Sequence, residues 1–189
     1  MSALPTSWQL RRAVEVLRGG GVLAYPTEAV WGLGCDPLEP AAVEHLLHLK
    51  QRDPARGLIL IGTSLDDFLP FLAPLPAALR RRLARSWPGP VTWLLPARPE
   101  CPRWLTGAHD TLAVRVSAHP VCQALCRAWG GALVSTSANV SGRPPARTRL
   151  QLRQQFDARL DYILPGETGG RQRPSEIRDA ATGKVLRKG

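Results

Sequence analysis

The sequence predicts an α/β fold with a mixed sheet, because three of its features agree. Stretches of helical period alternate with short apolar runs of strand type along the whole length. The 17 Gly and 18 Pro divide the chain into short elements joined by many turns, which excludes a bundle of long helices. No shift in composition marks a second domain, and 189 residues are enough to bury one core, so one domain over residues 1–189 is expected.

Thr6-x-x-Gln9 has the spacing of a capping box, and Leu10, Ala13, Val14 and Leu17 follow at helical intervals until Gly19 to Gly21 end the run. Val22 to Tyr25 is an apolar run stopped by Pro26, which places Thr27 and Glu28 where a strand gives way to a loop. Pro40 opens a second helix that turns Val43, Leu46, Leu47 and Leu49 inward and delivers Lys50 and Arg52 at its C-terminal end. Leu58 to Ile61, between Gly57 and Gly62, reads as a buried strand. Short helices are expected around 64–72 and 76–86, and Trp87-Pro88-Gly89-Pro90 is a rigid turn.

Val91 to Leu95 and Leu112 to Val116 are two further strands, and a helix over 120–129 ends at Gly130. Ala132 to Thr136 is a strand that opens into the polar loop Ser137-Ala138-Asn139. Thr148 to Phe156 is helical, and the tail from Asp161 alternates short strands with loops. Chemistry is expected at strand ends, where α/β folds place their ligands.

Composition excludes several classes. No apolar run approaches the ~18 residues of a membrane span, and Met1-Ser2-Ala3-Leu4-Pro5 lacks the regions of a signal peptide, so a cytoplasmic protein is expected. Cys35, Cys101, Cys122 and Cys126 are too scattered for a disulfide framework and are read as free thiols. A formal charge of +10 attracts polyanions, nucleotides or RNA. Arg80, Arg81, Arg82 and Arg85 also fit a solvated helix face.

The familiar phosphate cradles are missing: there is neither a G-x-x-x-x-G-K-[ST] loop nor a strand-linked G-x-G-x-x-G. His45 and His48 lack an H-E-x-x-H pattern, and Cys122 and Cys126 near His119 read as small buried hydrophobes, so no metal ligands are assigned. Lysine usage is more telling. The chain has 22 Arg and three Lys, two of them, Lys184 and Lys188, in the tail. Lys50 stands apart beside Arg52, where a compact, rotatable ammonium serves better than a guanidinium. Arg115 lies in an apolar strand, where an unpaired charge is costly, so it requires a carboxylate, either a ligand's or the protein's own.

Tyr25-Pro26-Thr27-Glu28, Lys50-x-Arg52 and Ser137-x-Asn139, in this order and spacing, resemble the TsaC/YrdC family. The likeness continues through Trp87-Pro88-Gly89-Pro90-Val91-Thr92, Ala113-Val114-Arg115-Val116, Pro165-Gly166-Glu167-Thr168, Pro174-Ser175-Glu176-Ile177 and Leu186-Arg187-x-Gly189. It covers nearly the whole chain and is closest to the short form of the family. The loop Asp53-Pro54-Ala55-Arg56-Gly57-Leu58 departs from the longer members, which place a histidine near there.

The resemblance implies a twisted mixed sheet flanked by helices, with a positively charged cleft. It implies a threonylcarbamoyl-AMP synthase that uses L-threonine, bicarbonate and ATP, with Mg²⁺ accompanying the nucleotide phosphates. The product would serve threonylcarbamoyladenosine modification of tRNA, through downstream threonylcarbamoyl-transferase proteins. Lys50 and Arg52 would neutralise phosphate charge. Ser137, Asn139 and Arg187 would complete the ATP site, with a capped turn as the alternative at Ser137 and Asn139. Thr27, Arg115 and Ser175 would bind threonine, with turn hydroxyls and an internal salt bridge as alternatives.

Two other classes fit less of the sequence. An RNA-binding or ribosome-maturation factor, contacting tRNA or double-stranded RNA, would use the net charge and the six Trp, but no aromatic RNA-binding motif is present. A module acting on carbamoyl phosphate would be accompanied by acylphosphatase and zinc-finger regions.

Overall fold

A computed structural model describes residues 4–189, the Asp157 side chain excepted. Helix α1 (Ser7–Arg18) starts at the expected capping box: Thr6 N donates to Gln9 Oε1 at 2.8 Å and Gln9 N to Thr6 Oγ1 at 3.3 Å. Strand β1 (Leu23–Pro26) ends at its proline as expected, and β2 (Trp31–Gly34) follows after a tight loop. Helix α2 (Pro40–Lys50) carries its proline in the first turn. Gln51 then adopts the left-handed conformation, with φ of 48°, and turns the chain out of the helix.

Strand β3 (Ile59–Gly62) leads to a 3-10 turn over Asp66–Phe71, then α3 (Ala77–Ala84) and β4 (Val91–Pro96). The one-turn α4 (Arg103–Thr106) precedes β5 (Thr111–Val116), α5 (Pro120–Trp129) and β6 (Leu133–Ser137). Helix α6 (Arg149–Phe156) and strands β7 (Tyr162–Ile163), β8 (Glu176–Asp179) and β9 (Val185–Arg187) complete the chain.

The strands form one nine-stranded mixed sheet in the order β7-β1-β2-β6-β3-β5-β4-β8-β9. The pairs β1–β7, β3–β5 and β4–β8 are parallel and the others antiparallel. Because strand side chains alternate, each strand feeds two faces. On one face Leu60, Val114, Val134 and Trp93 pack with α2 residues such as Val43 and Leu46 in the larger core. On the other, Leu23, Tyr25, Ile61 and Leu133 pack with Ala13 and Leu17 of α1 and with Val121 and Leu125 of α5.

That second cover is partial. Along β6 the residues on this face run Leu133, Ser135, Ser137, changing from core to polar, and along β5 they run Thr111, Ala113, Arg115. This part of the sheet becomes the floor of a cavity. The strand-end residues Thr27, Ser137 and Asn139 line this cavity as expected, and because α1 and α5 leave part of a sheet face open it extends across that face as well.

All four cysteines are buried free thiols. No helix among the described residues is long and apolar enough to cross a membrane.

Candidate active site

The cavity has a volume of about 620 Å³, within the range of small-molecule sites. Seven of the eight residues expected at the site line it. Arg52, Ser137, Asn139, Thr27, Arg115, Ser175 and Arg187 all stand in its walls. The register aligns Ser135 of β6, Ile59 of β3, Ala113 of β5 and Leu94 of β4 in a row across the floor. Arg56, which sequence reasoning left without a role, joins Arg52 in the wall, and no Asp or Glu is among the lining residues described.

Lys50 is the exception to the expected set. It does not line the cavity; it is 2% exposed and lies beneath the Ser137–Asn139 loop. Its Nζ donates to the main-chain oxygens of Ser137 and, at 2.8 Å, of Asn139, while its own carbonyl accepts from Ser141 N at 2.8 Å. Burial, then the charges of Arg52 and Arg56, pull its ammonium down to about 7. Gln51, left-handed between them, lets the helix end send Lys50 to the Ser137–Asn139 loop and Arg52 to Gly57 O.

The loop above Lys50 is internally satisfied. Ser137 Oγ donates to Asn139 Oδ1 at 2.6 Å, and Asn139 Nδ2 donates to the carbonyls of Val140 and Arg143 at 3.0 and 2.9 Å. Both side chains thus form a capped turn, and Ser137 Oγ keeps lone pairs for a ligand. Thr27 is likewise tied locally, its Oγ1 donating to Val30 O at 2.7 Å. Ser175 Oγ shares a hydrogen bond with Thr92 Oγ1 at 2.9 Å, and Arg187 Nη2 donates to Ser175 O at 2.7 Å, pinning the tail strand to the wall.

Two glycine turns interlock at the cationic end. Gly57 and Gly107 have φ of 60° and 64°. A Cβ on Gly107 would stand 2.3 Å from Ala55 O and 2.5 Å from Gly57 N, so only glycine lets these backbones meet. Arg52 Nη2 donates to Gly57 O at 2.9 Å, which fixes the guanidinium to this clasp. Arg52 Nε and Thr106 Oγ1 are buried there without partners among the described residues.

Arg115, 8% exposed, meets the carboxylate that its strand position requires inside the protein itself: Nη1 donates to Glu28 Oε2 at 3.0 Å. Glu28, part of the Tyr25-Pro26-Thr27-Glu28 segment, received no role from the sequence.

The family model for Sua5, YciO and YrdC proteins, described as telomere recombination, matches residues 15–189. The chain belongs to this family. Among its relatives is a protein of Nitrosococcus oceani named threonylcarbamoyl-AMP synthase, 59% identical over 181 residues, covering 96% of this chain and 98% of that protein. The Escherichia coli YciO structure superposes with a TM-score of 0.86 at 27% identity, covering 98% of this chain and 91% of that one. Sua5 of P. abyssi, solved in complex with L-threonine, superposes at 0.83 with 31% identity and covers 92% of this chain. This chain spans about half of that Sua5 chain, at 51%. The Sua5/YciO/YrdC fold is thus the twisted mixed α/β sheet described above.

Proposed function

We propose that this chain is an L-threonylcarbamoyladenylate synthase: from L-threonine, bicarbonate and ATP it makes threonylcarbamoyl-AMP and pyrophosphate. The observation that carries the reading is the convergence on one cavity of a guanidinium pair, Arg52 and Arg56, with Thr27, Ser175 and a partly committed Arg115. Relatives of nearly equal length bearing that name support it.

The chemistry asks for positioning and charge neutralisation more than for a strong base. The threonine amine takes up bicarbonate as a carbamate with loss of water. A carbamate oxygen then bonds to the α-phosphorus of ATP, and the bond to the bridging oxygen of pyrophosphate breaks. Arg52 and Arg56 neutralise charge that moves onto the leaving pyrophosphate. Ser137 Oγ contributes a hydroxyl to the phosphates, Asn139 braces it, and Lys50 supports both from beneath. Arg115, with Thr27 and Ser175, takes the amino acid, and Arg187 closes the nucleotide side. Mg²⁺ enters as part of the ATP substrate; among the described residues the walls offer no carboxylate for a resident ion.

The adenylate serves threonylcarbamoyladenosine formation next to the tRNA anticodon, in the cytoplasm, through threonylcarbamoyl-transferase proteins. The charge of +10 favours the approach of tRNA or other double-stranded RNA. Incubation of the chain with ATP, bicarbonate and threonine, followed by mass spectrometry, tests the reading. Threonylcarbamoyl-AMP is the expected product; its absence, with tight binding of double-stranded RNA, would replace the enzyme with an RNA-binding factor.

A further inference from the structure

The amino-acid end of the cavity is backed by a buried carboxylate that no step of this reaction uses. Glu28 is 9% exposed. Its Oε2 accepts from Arg115 Nη1 at 3.0 Å, and its Oε1 accepts from Ser117 Oγ at 2.8 Å and from Ala118 N at 3.1 Å. Burial pushes this carboxyl up, but the Arg115 charge and the hydrogen bonds together outweigh it and hold the group below the usual glutamate value. Glu28 is therefore an anion with both oxygens occupied.

A guanidinium offers a carboxylate two forks, its Nη1/Nη2 end and its Nε/Nη2 edge. In Arg115, Nη1 is committed to Glu28, whereas Nε is buried with no acceptor among the described residues. Nη2 has no acceptor among the described residues and is not closed off as Nε is, so in this cavity-lining arginine it is the donor left for a ligand. A ligand carboxylate oxygen reaching Nη2 would satisfy it.

We infer that Glu28 is a positioning residue, which holds Nη1 of Arg115 so that Nη2 is presented to the substrate carboxylate. The inference rests on the threonine reading above. The surrounding contacts make the arrangement rigid. Ser117 Oγ, which donates to Glu28, accepts from His119 N at 3.1 Å, and His119 Nε2 is hydrogen-bonded to Glu167 O at 3.1 Å. The loop carrying Glu167 closes back on the same segment, with Gly169 N donating to Thr27 O at 2.9 Å and Arg171 N to Glu28 O at 3.0 Å. Glu28 thus links Arg115, the start of α5 and the 165–171 loop around one end of the cavity.

Glu28→Gln keeps the shape and the acceptor at Oε1 but removes the charge that orients Arg115. Pyrophosphate release by the full chain, titrated with threonine at saturating ATP and with ATP at saturating threonine, tests it. The KM for threonine is expected to rise on the order of 10- to 100-fold, as when a reacting group is misplaced, with the KM for ATP unchanged. Threonine amide, which lacks the carboxylate, should lose far less kcat/KM than threonine does. An unchanged threonine KM, or equal losses for threonine and its amide, overturns the positioning role. If Glu28→Gln fails to fold, Glu28→Asp decides by the same ratio, since it keeps the charge but draws the carboxylate one methylene back from Arg115 Nη1. A wild-type chain that releases no pyrophosphate with threonine overturns the underlying reading instead.

Discussion

Lys50 Nζ donates to the main-chain oxygen of Asn139 at 2.8 Å across 89 residues of sequence, tying the end of α2 to the loop that follows β6. With Ser137 O as the second acceptor, the amine holds the underside of a loop whose upper side lines the cavity. A single rotatable point donor fits between two carbonyls where a planar guanidinium would not. The singular lysine therefore holds the cavity-lining loop from beneath.

Substitution of Lys50 should accordingly reduce stability and turnover together. Lys50→Met keeps the aliphatic stem but leaves Asn139 O without its donor, while Ser137 O keeps Asn139 N at 2.9 Å, at about 1–3 kcal/mol for the one buried group left without a partner. Arg56 is exposed and lines the cavity, so Arg56→Gln should slow pyrophosphate release with no change in the urea midpoint. Urea titrations beside turnover assays check the pair. A Lys50→Met protein with wild-type stability would remove the lysine from beneath the loop.

A pH dependence follows from the same burial. The Lys50 amine is held at about 7, against an ordinary value of 10.5. The unfolded chain therefore binds more protons than the folded one between those values, and stability rises with pH across that window. Below about 7 the charged form is buried and its cost is fully present. Wild type should gain stability from pH 7 to 9 relative to Lys50→Met, as read from denaturation midpoints. Phosphates bound nearby favour the ammonium, so ATP binding at pH 8 should take up protons, measurable calorimetrically in buffers of different ionisation enthalpy, and Lys50→Met should take up fewer.

The sequence carried most helices and strands because their period or apolar runs were local. It did not reveal β2, whose Trp31-Gly32-Leu33-Gly34 has glycine at every second position and so lacks a strand pattern. Tyr25 supplies the reason: a Cβ on Gly34 would lie 2.8 Å from its ring and 2.4 Å from Val134 O. Helix α4, at four residues, is too short to show a period. At the site, residue types were legible and directions were not. That Lys50 turns under the loop, and that Glu28 takes Arg115 from 87 residues away, are long-range outcomes of how the sheet registers. Arg56 was hidden because its position in the wall depends on the Gly57–Gly107 clasp.

That clasp is open to a direct test. Gly107→Ala would place a Cβ 2.3 Å from Ala55 O, a main-chain atom that cannot rotate away, at a φ of 64°. A loss of about 1–3 kcal/mol is expected from the overlap, together with a raised KM for ATP as Arg52 and Arg56 move with their loop. Gly131→Ala is the control, with open space around its Cβ and no positive φ. Should Gly107→Ala match Gly131→Ala in both thermal midpoint and ATP use, the two loops are not coupled.

The Arg115–Glu28 pair changes what substitution at Arg115 should do. A carboxylate buried to 9% exposure and stripped of its cation costs about 3–5 kcal/mol, so Arg115→Leu should be strongly destabilised before any ligand is considered. Its deficit relative to wild type should shrink as pH falls, because wild type then loses the stability held by the low Glu28 pKa, of which Arg115→Leu, without that charge, has less to lose. Arg115→Lys keeps a cation for Glu28 and should fold, but a single ammonium nitrogen cannot hold Glu28 and reach a second carboxylate as two separate guanidinium nitrogens do. Threonine kcat/KM should therefore fall in Arg115→Lys by about 2–3 kcal/mol in transition-state terms, with the KM for ATP unchanged and threonine amide much less affected. Titrations of both ligands at saturating ATP measure the difference. Arg115→Lys with wild-type threonine use would leave Arg115 as Glu28's partner alone and move the substrate carboxylate elsewhere in the cavity.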